Sequence, residues 1–270
     1  MKSILLHIHD DCAQDERLAV AIDLARAHKS HLTCVQITSF SNYVVGYPLG
    51  GTYVSPGLLE AAHTHDEEER ARIEQRLTSN GVSWDWERVD GHAPHVLVSR
   101  GRLADVLILS RRGKASPSKP EPLPIVAEVA VHVRAPVLVV PPGSNGFHAE
   151  RPVMIAWNGS MEAAHSLRLV LPFLRMAASV HIVTVSDDWA DFPSTSASLY
   201  LARHDVASEL HEWPRKGRPI AQALSEAAEE LGVTALVMGA YGHSRFRETV
   251  VGGVTHDLLE QAKVPLLMGH

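Results

Sequence analysis

Apolar runs in this chain of 270 residues are short. Val106 to Leu109 and Val137 to Val140 fall far below the roughly 20 residues that a membrane-spanning helix needs. Blocks of lysine and arginine are missing too, and the formal net charge is −6. That excludes the extended basic footprint of a nucleic-acid or anionic-membrane binder. Cysteine is scarce: Cys12 and Cys34 are too few for a disulfide framework, and Cys34 sits in an apolar strand pattern as a small core residue. The opening "MKSILLHIHDD" meets Asp10 and Asp11 before a signal-peptide core of usual length could form, so the expected compartment is the cytoplasm.

Chemistry-bearing signatures are sparse as well. The sequence has no G-x-x-x-x-G-K-[ST], no G-x-G-x-x-G and no G-x-S-x-G. Nor do an acid, a base and a nucleophile stand together at a recognisable spacing. No dedicated catalytic residue can be named, and slow ATP hydrolysis is the most that such a chain is expected to show.

What is present is a repeat. The composition, 45% hydrophobic and 21% charged, is that of a globular protein with a buried core. "SILLHIHDD" from Ser3 aligns with "RPVMIAWNGS" from Arg151, placing His9 opposite Asn158. Each run leads into a helical pattern, Asp15 to His28 and Met161 to Met176, and then into a strand-like run, "HLTCVQIT" and "VHIVTVSD". Similarity resumes with Gly91 to Gly113 against Gly217 to Gly242, and ends with "APVLVV" against "VPLLMG". Strands alternating with helices demand crossover connections, hence parallel sheets with helices on both faces. The join, "PPGSNGFHAERP", is rich in turn formers. Domains over residues 1–143 and 151–270 are expected. Between its second and third strands the first copy carries an insertion, a Gly/Tyr-rich loop followed by a helical charge pattern from Leu58 to Thr78.

The second copy contains "MGAYGHSRFRETVVGGVTHDLL", in which Gly239 and Gly242 are followed after nine residues by Gly252 and Gly253. In open parallel sheets ligands bind at the carboxyl ends of strands. Glycine there lets backbone approach a ligand, and the first amides of the helix that follows attract anions. Spaced glycines alone are more often turns than sites.

This alternation, with G-x-x-G, nine residues, G-G-V-T and a closing "VPLLM", resembles the universal stress protein family in its tandem form. The resemblance implies an α/β fold of two tandem open five-stranded parallel sheets flanked by helices, Rossmann-like and of the adenine nucleotide alpha hydrolase type. It implies ATP, with or without Mg²⁺, as the cofactor. It assigns Gly239, Gly242 and Gly252 to ribose and phosphates, Val254 to backbone contact with phosphate, and Val185 to the adenine. Gly253 falls where the family has serine or threonine, and Asn158 where ATP binders have aspartate. Losing one hydroxyl removes a hydrogen bond worth about 0.5–1.5 kcal/mol, and Thr255 offers a substitute hydroxyl or a cap for its own helix. The resemblance further implies pairing of "PVLVV" with "VPLLM", which makes the chain a pseudo-dimer, with homodimerisation and protein partners left open.

The first copy departs further. Ser110 stands at the first glycine, and Leu123-Pro124 replace the doublet, where proline offers no N–H. A nucleotide is therefore not expected there. Of 17 histidines, His7 and His9 share a strand face, and with His63 and His65 they form a candidate zinc site that matches no established spacing. Three functions stay open at this point: an ATP-binding regulator, a stress protein acting through partners or another small ligand, and a metal-dependent hydrolase.

Overall fold

The computed structural model describes residues 1–38, 44–46, 52–54, 56–112, 119–185, 193–242 and 253–270. The first half runs β1 (Ser3–Ile8), α1 (Gln14–His28), β2 (His31–Thr38), the pair β3 (Val44–Gly46) and β4 (Thr52–Val54), α2 (Pro56–Ser79), β5 (Ser83–Asp90), α3 (Ala93–Arg100), β6 (Val106–Ser110), α4 (Val126–His132) and β7 (Val137–Val140). The second half runs β8 (Val153–Ala156), α5 (Met161–Leu169), α6 (Leu171–Leu174), β9 (Val180–Val185), α7 (Ser194–Ala202), β10 (Glu209–Trp213), α8 (Ile220–Glu230), β11 (Ala235–Gly239), α9 (Gly253–Gln261) and β12 (Leu266–Gly269).

The two expected five-stranded sheets are halves of one sheet of ten strands, ordered β10-β9-β8-β11-β12-β7-β6-β1-β2-β5. Neighbours are parallel within each half, and β7 meets β12 antiparallel with Leu138 opposite Leu267. Both strands are fully buried, so pairing them satisfies two backbone edges that would otherwise invite aggregation. The interior strand β6 is buried along its whole length, as expected for an apolar run covered on both faces. The outermost strands, β5 (SWDWERVD) and β10 (ELHEW), alternate in exposure and carry charges. Alternate residues feed two cores: Ile4, Leu6 and Ile8 enter one, Leu5 the other.

The expected helix Met161 to Met176 is two helices. Pro172 lies in the first turn of α6, where its missing N–H and its ring prevent continuation from α5. The join is packed rather than loose. Phe147 is buried against Phe173 with ring centroids 5.4 Å apart, and its N–H donates to Asp23 at 2.9 Å. None of the helices is long and apolar enough to cross a membrane, among the described residues.

Burial also sets an acid limit. It is the leading cause that lowers the pKa of His7, His28, His165 and His181, with His28 brought to about 4. The unfolded chain therefore takes up protons near pH 6.5 that the folded chain refuses. Stability from these groups is complete above about pH 6.5 and declines as the pH falls towards their folded values. Urea midpoints are expected to drop steadily between pH 7.5 and pH 5, whereas a flat profile would contradict the neutral burial of these rings.

Candidate functional site

In each half the strand order reverses once. The chain leaves β8 for β9 and β10, then returns to the other side of β8 as β11. The crevice between the carboxyl ends of β8 and β11 is therefore a topological switch point, the place where open α/β sheets bind ligands. The first half repeats this with β1 and β6. The two crevices are filled differently.

Between β1 and β6, Arg17 of α1 fills the space. Arg17 and Asp11 have side chains each only 1% exposed. The Arg17 guanidinium donates to the carbonyls of His7 at 2.9 Å and His9 at 3.0 Å, to Gln14 Oε1 at 2.5 Å and to Ser110 Oγ at 2.7 Å. It meets both oxygens of Asp11, at 3.3 and 3.1 Å. Burial pushes the Asp11 carboxyl up, but a hydrogen bond from His9, the Arg17 charge with its hydrogen bonds, and the Ala13 N–H together hold it at about 2. Just outside, Asp10 binds Lys119 at 2.5 Å and His65 at 2.8 Å. Ser110, read in the sequence as a lost glycine, is thus one acceptor in a buried polar lock. Arg112 pairs with Glu121 at 2.8 Å.

Between β8 and β11 the equivalent of Arg17 is Ser166, whose hydroxyl bonds Gly269 backbone at 3.0 Å. Gly239 ends β11, and a Cβ there would lie 2.6 Å from the Ala163 nitrogen and 2.8 Å from the Glu162 carbonyl carbon. Its glycine therefore brings the first turn of α5 directly against the strand. A Cβ on Gly242 would lie 2.6 Å from the Glu162 carboxylate. Between them, Tyr241 adopts a left-handed φ of 55°, uncommon for a residue with a side chain. Gly253 opens α9, with nothing within 4 Å of a Cβ placed on it, and Val254 follows, partly buried.

Asn158 is exposed just beyond β8, and its Oδ1 accepts the Ser160 N–H at 3.1 Å, shaping the turn into α5. Ser160 in turn caps that helix by accepting the Ala163 N–H at 3.1 Å. Val185 is the last residue of β9. Val183 accepts the Trp157 N–H at 2.9 Å, so Val185, two residues on, faces its backbone to the same side, past the end of β8. Beside it the Thr184 hydroxyl oxygen is buried with no partner among the described residues. Thr255 is buried, and its hydroxyl oxygen accepts the Tyr241 N–H at 3.4 Å, tying the strand exit to α9. Gly252 lies outside the described residues.

The elements that could hold a nucleotide thus converge on one crevice: Asn158, Val185, Gly239, Gly242 and the first turn of α9. The space over Gly253, free of any described residue within 4 Å, suits a polar ligand. The Glu162 carboxylate against Gly242 suits a phosphate only if a cation offsets its charge. The zinc candidates do not converge. His7 and His9 stack at 5.8 Å, but His7 is buried and His9 Nδ1 is engaged by Asp11 at 3.1 Å. His65 pairs with Asp10 at 2.8 Å. Groups of three metal-capable side chains within 4.8 Å of one another do form among the described residues, and His7, His9, His63 and His65 belong to none of them.

Sequence reasoning missed Arg17, Asp11, Glu162, Tyr241 and Thr184. The first carried a signal, an arginine on the buried stripe of an otherwise apolar helix face. The others depend on which strand ends become neighbours.

Comparison with known proteins agrees with this architecture. A universal stress protein of Synechocystis sp. is 29% identical over 167 residues, which span 60% of this chain and 57% of that one. A solved universal stress protein from Archaeoglobus fulgidus superposes with a TM-score of 0.74 at 13% identity, over 99% of this chain and 96% of its own. A solved structure from Pseudomonas aeruginosa does so with a TM-score of 0.63 at 14% identity, over 100% of this chain and 93% of its own. Residues 150–270, the half that contains the glycine loop, match the model of the universal stress protein family. The second half of this chain is thus similar to universal stress protein domains, and the whole chain shares the fold of the solved Archaeoglobus fulgidus protein.

Proposed function

We propose that this is a tandem universal stress protein in which the domain over 151–270 binds ATP or a related adenine nucleotide, while the domain over 1–143 does not. The observation that carries the reading is the contrast between two equivalent crevices. One is filled by a buried Arg17–Asp11 pair; the other is lined by glycines and an open helix start. Adenine would lie along the backbone at Val185, ribose near Asn158 and Gly239, and phosphates over Gly242, Gly252, Gly253 and Val254. Such a nucleotide would supply phosphate charge, and magnesium on it would offset Glu162. The chain's own part is to bind and orient, which suits a regulatory switch in the cytoplasm better than a catalyst.

Calorimetric titration with Mg-ATP tests this. The wild-type chain is expected to bind, and Gly242→Val with Gly252→Val to lose measurable binding. Unchanged affinity in the double variant would overturn the reading. It would then favour a stress protein that works through partners or another small ligand.

A further inference from the structure

At the opposite end of the second half, far from the crevice, three metal-capable side chains meet. In β10, Glu209 and His211 are two residues apart and so project from the same sheet face. The parallel register sets His181 of β9 directly opposite Glu209. His181 Nδ1 is 3.6 Å from Glu209 Oε2 and 3.0 Å from His211 Nε2, which is itself 3.8 Å from Glu209 Oε2. A zinc ion with bonds near 2.0–2.1 Å to tetrahedral ligands requires ligand atoms about 3.3 Å apart. These three separations bracket that figure.

A second observation concerns the other nitrogen of the same ring. Ser179 Oγ lies 2.9 Å from His181 Nε2. A hydroxyl accepting Nε2–H fixes the tautomer that leaves Nδ1 as a lone pair aimed at Glu209 and His211, the arrangement outer partners give to metal-bound histidines. His181 is nearly buried, while Glu209 and His211 reach towards solvent, which leaves an outward position for water.

The geometry points to a divalent-metal site formed by His181, Glu209 and His211, taking Zn²⁺ or another first-row ion that accepts two imidazoles and a carboxylate. Bound there, the ion fastens the outermost strand β10 to β9. His181 lies four residues before Val185, about 13 Å along the strand, so the ion does not share the nucleotide crevice. The histidines singled out from sequence came in pairs two residues apart; His181 and His211 are 30 residues apart and meet only through strand register.

The test uses the full chain carrying His92→Ala and His95→Ala, because His92, His95 and Glu128 form a second, exposed group that would compete for metal. Zn²⁺ is titrated by calorimetry, and Co²⁺ by its visible absorption, in chains whose folding is checked by circular dichroism. One ion per chain is expected. Ser179→Ala should weaken binding roughly 10- to 100-fold. His211→Ala, on the outer strand, should abolish both the heat and the Co²⁺ bands. No uptake by the background chain, or uptake unchanged by both Ser179→Ala and His211→Ala, would overturn the proposal.

Discussion

Replacing Arg17 by methionine is expected to destabilise the protein by about 3–5 kcal/mol, the usual cost of removing one partner from a buried ion pair. The loss is large because Arg17 is linked to five groups at once: two strand-end carbonyls, Gln14, Ser110 and Asp11. Without it the Asp11 carboxylate keeps its burial but loses its counter-charge. The sign of the pH dependence follows. In the wild type, Asp11 has a depressed pKa of about 2, so its contribution is present above the ordinary carboxylate range and is lost as the pH falls from about 4 towards 2. In Arg17→Met that contribution disappears at all pH values, and acid unfolding should begin at higher pH. Urea denaturation of both chains at pH 7 and pH 4 measures both effects. A change under 1 kcal/mol at pH 7 would mean that the guanidinium does not hold the first crevice together.

The second large effect is expected at Gly239. A single Cβ there would stand 2.6 Å from one backbone nitrogen and 2.8 Å from a backbone carbonyl carbon, and neither can swing away as a side chain tip does. Gly239→Ala should therefore cost about 1–3 kcal/mol through overpacking, and it should also push α5 away from β11 and weaken nucleotide binding. Gly253→Ala provides the contrast. A Cβ there meets nothing within 4 Å, and alanine suits the first turn of a helix, so stability should change by no more than about 0.5 kcal/mol. Thermal or urea unfolding of the two variants distinguishes them. Equal effects would show that the close approach at Gly239 is not a packing constraint.

These two positions show what the sequence makes legible. The repeat predicted the alternation of strands and helices in both halves, because hydrophobic periodicity and crossover geometry are local properties. It also marked Ser110 and Gly239 as the points where the copies diverge. It could not show that Arg17 reaches Ser110, 93 residues away, or that Glu162 lies over Gly242, because both contacts are made by strand order rather than by spacing. The contact of Thr255 with the strand exit at Tyr241 was hidden for the same reason. Pro172 was visible in the sequence but was absorbed into one long helical pattern, and the break it causes appeared only in the fold. The join looked like a linker by composition, yet Phe147 buries itself against the second half.

On the proposed function, one crevice takes an adenine nucleotide and its twin does not. The most direct measurement is the stoichiometry of Mg-ATP bound by the wild-type chain, with the site located by photolabelling with an azido-ATP probe and peptide mapping. One nucleotide per chain, with label on peptides between residues 157 and 255, is the predicted result. No bound nucleotide, two per chain, or label confined to residues 1–143 would contradict it.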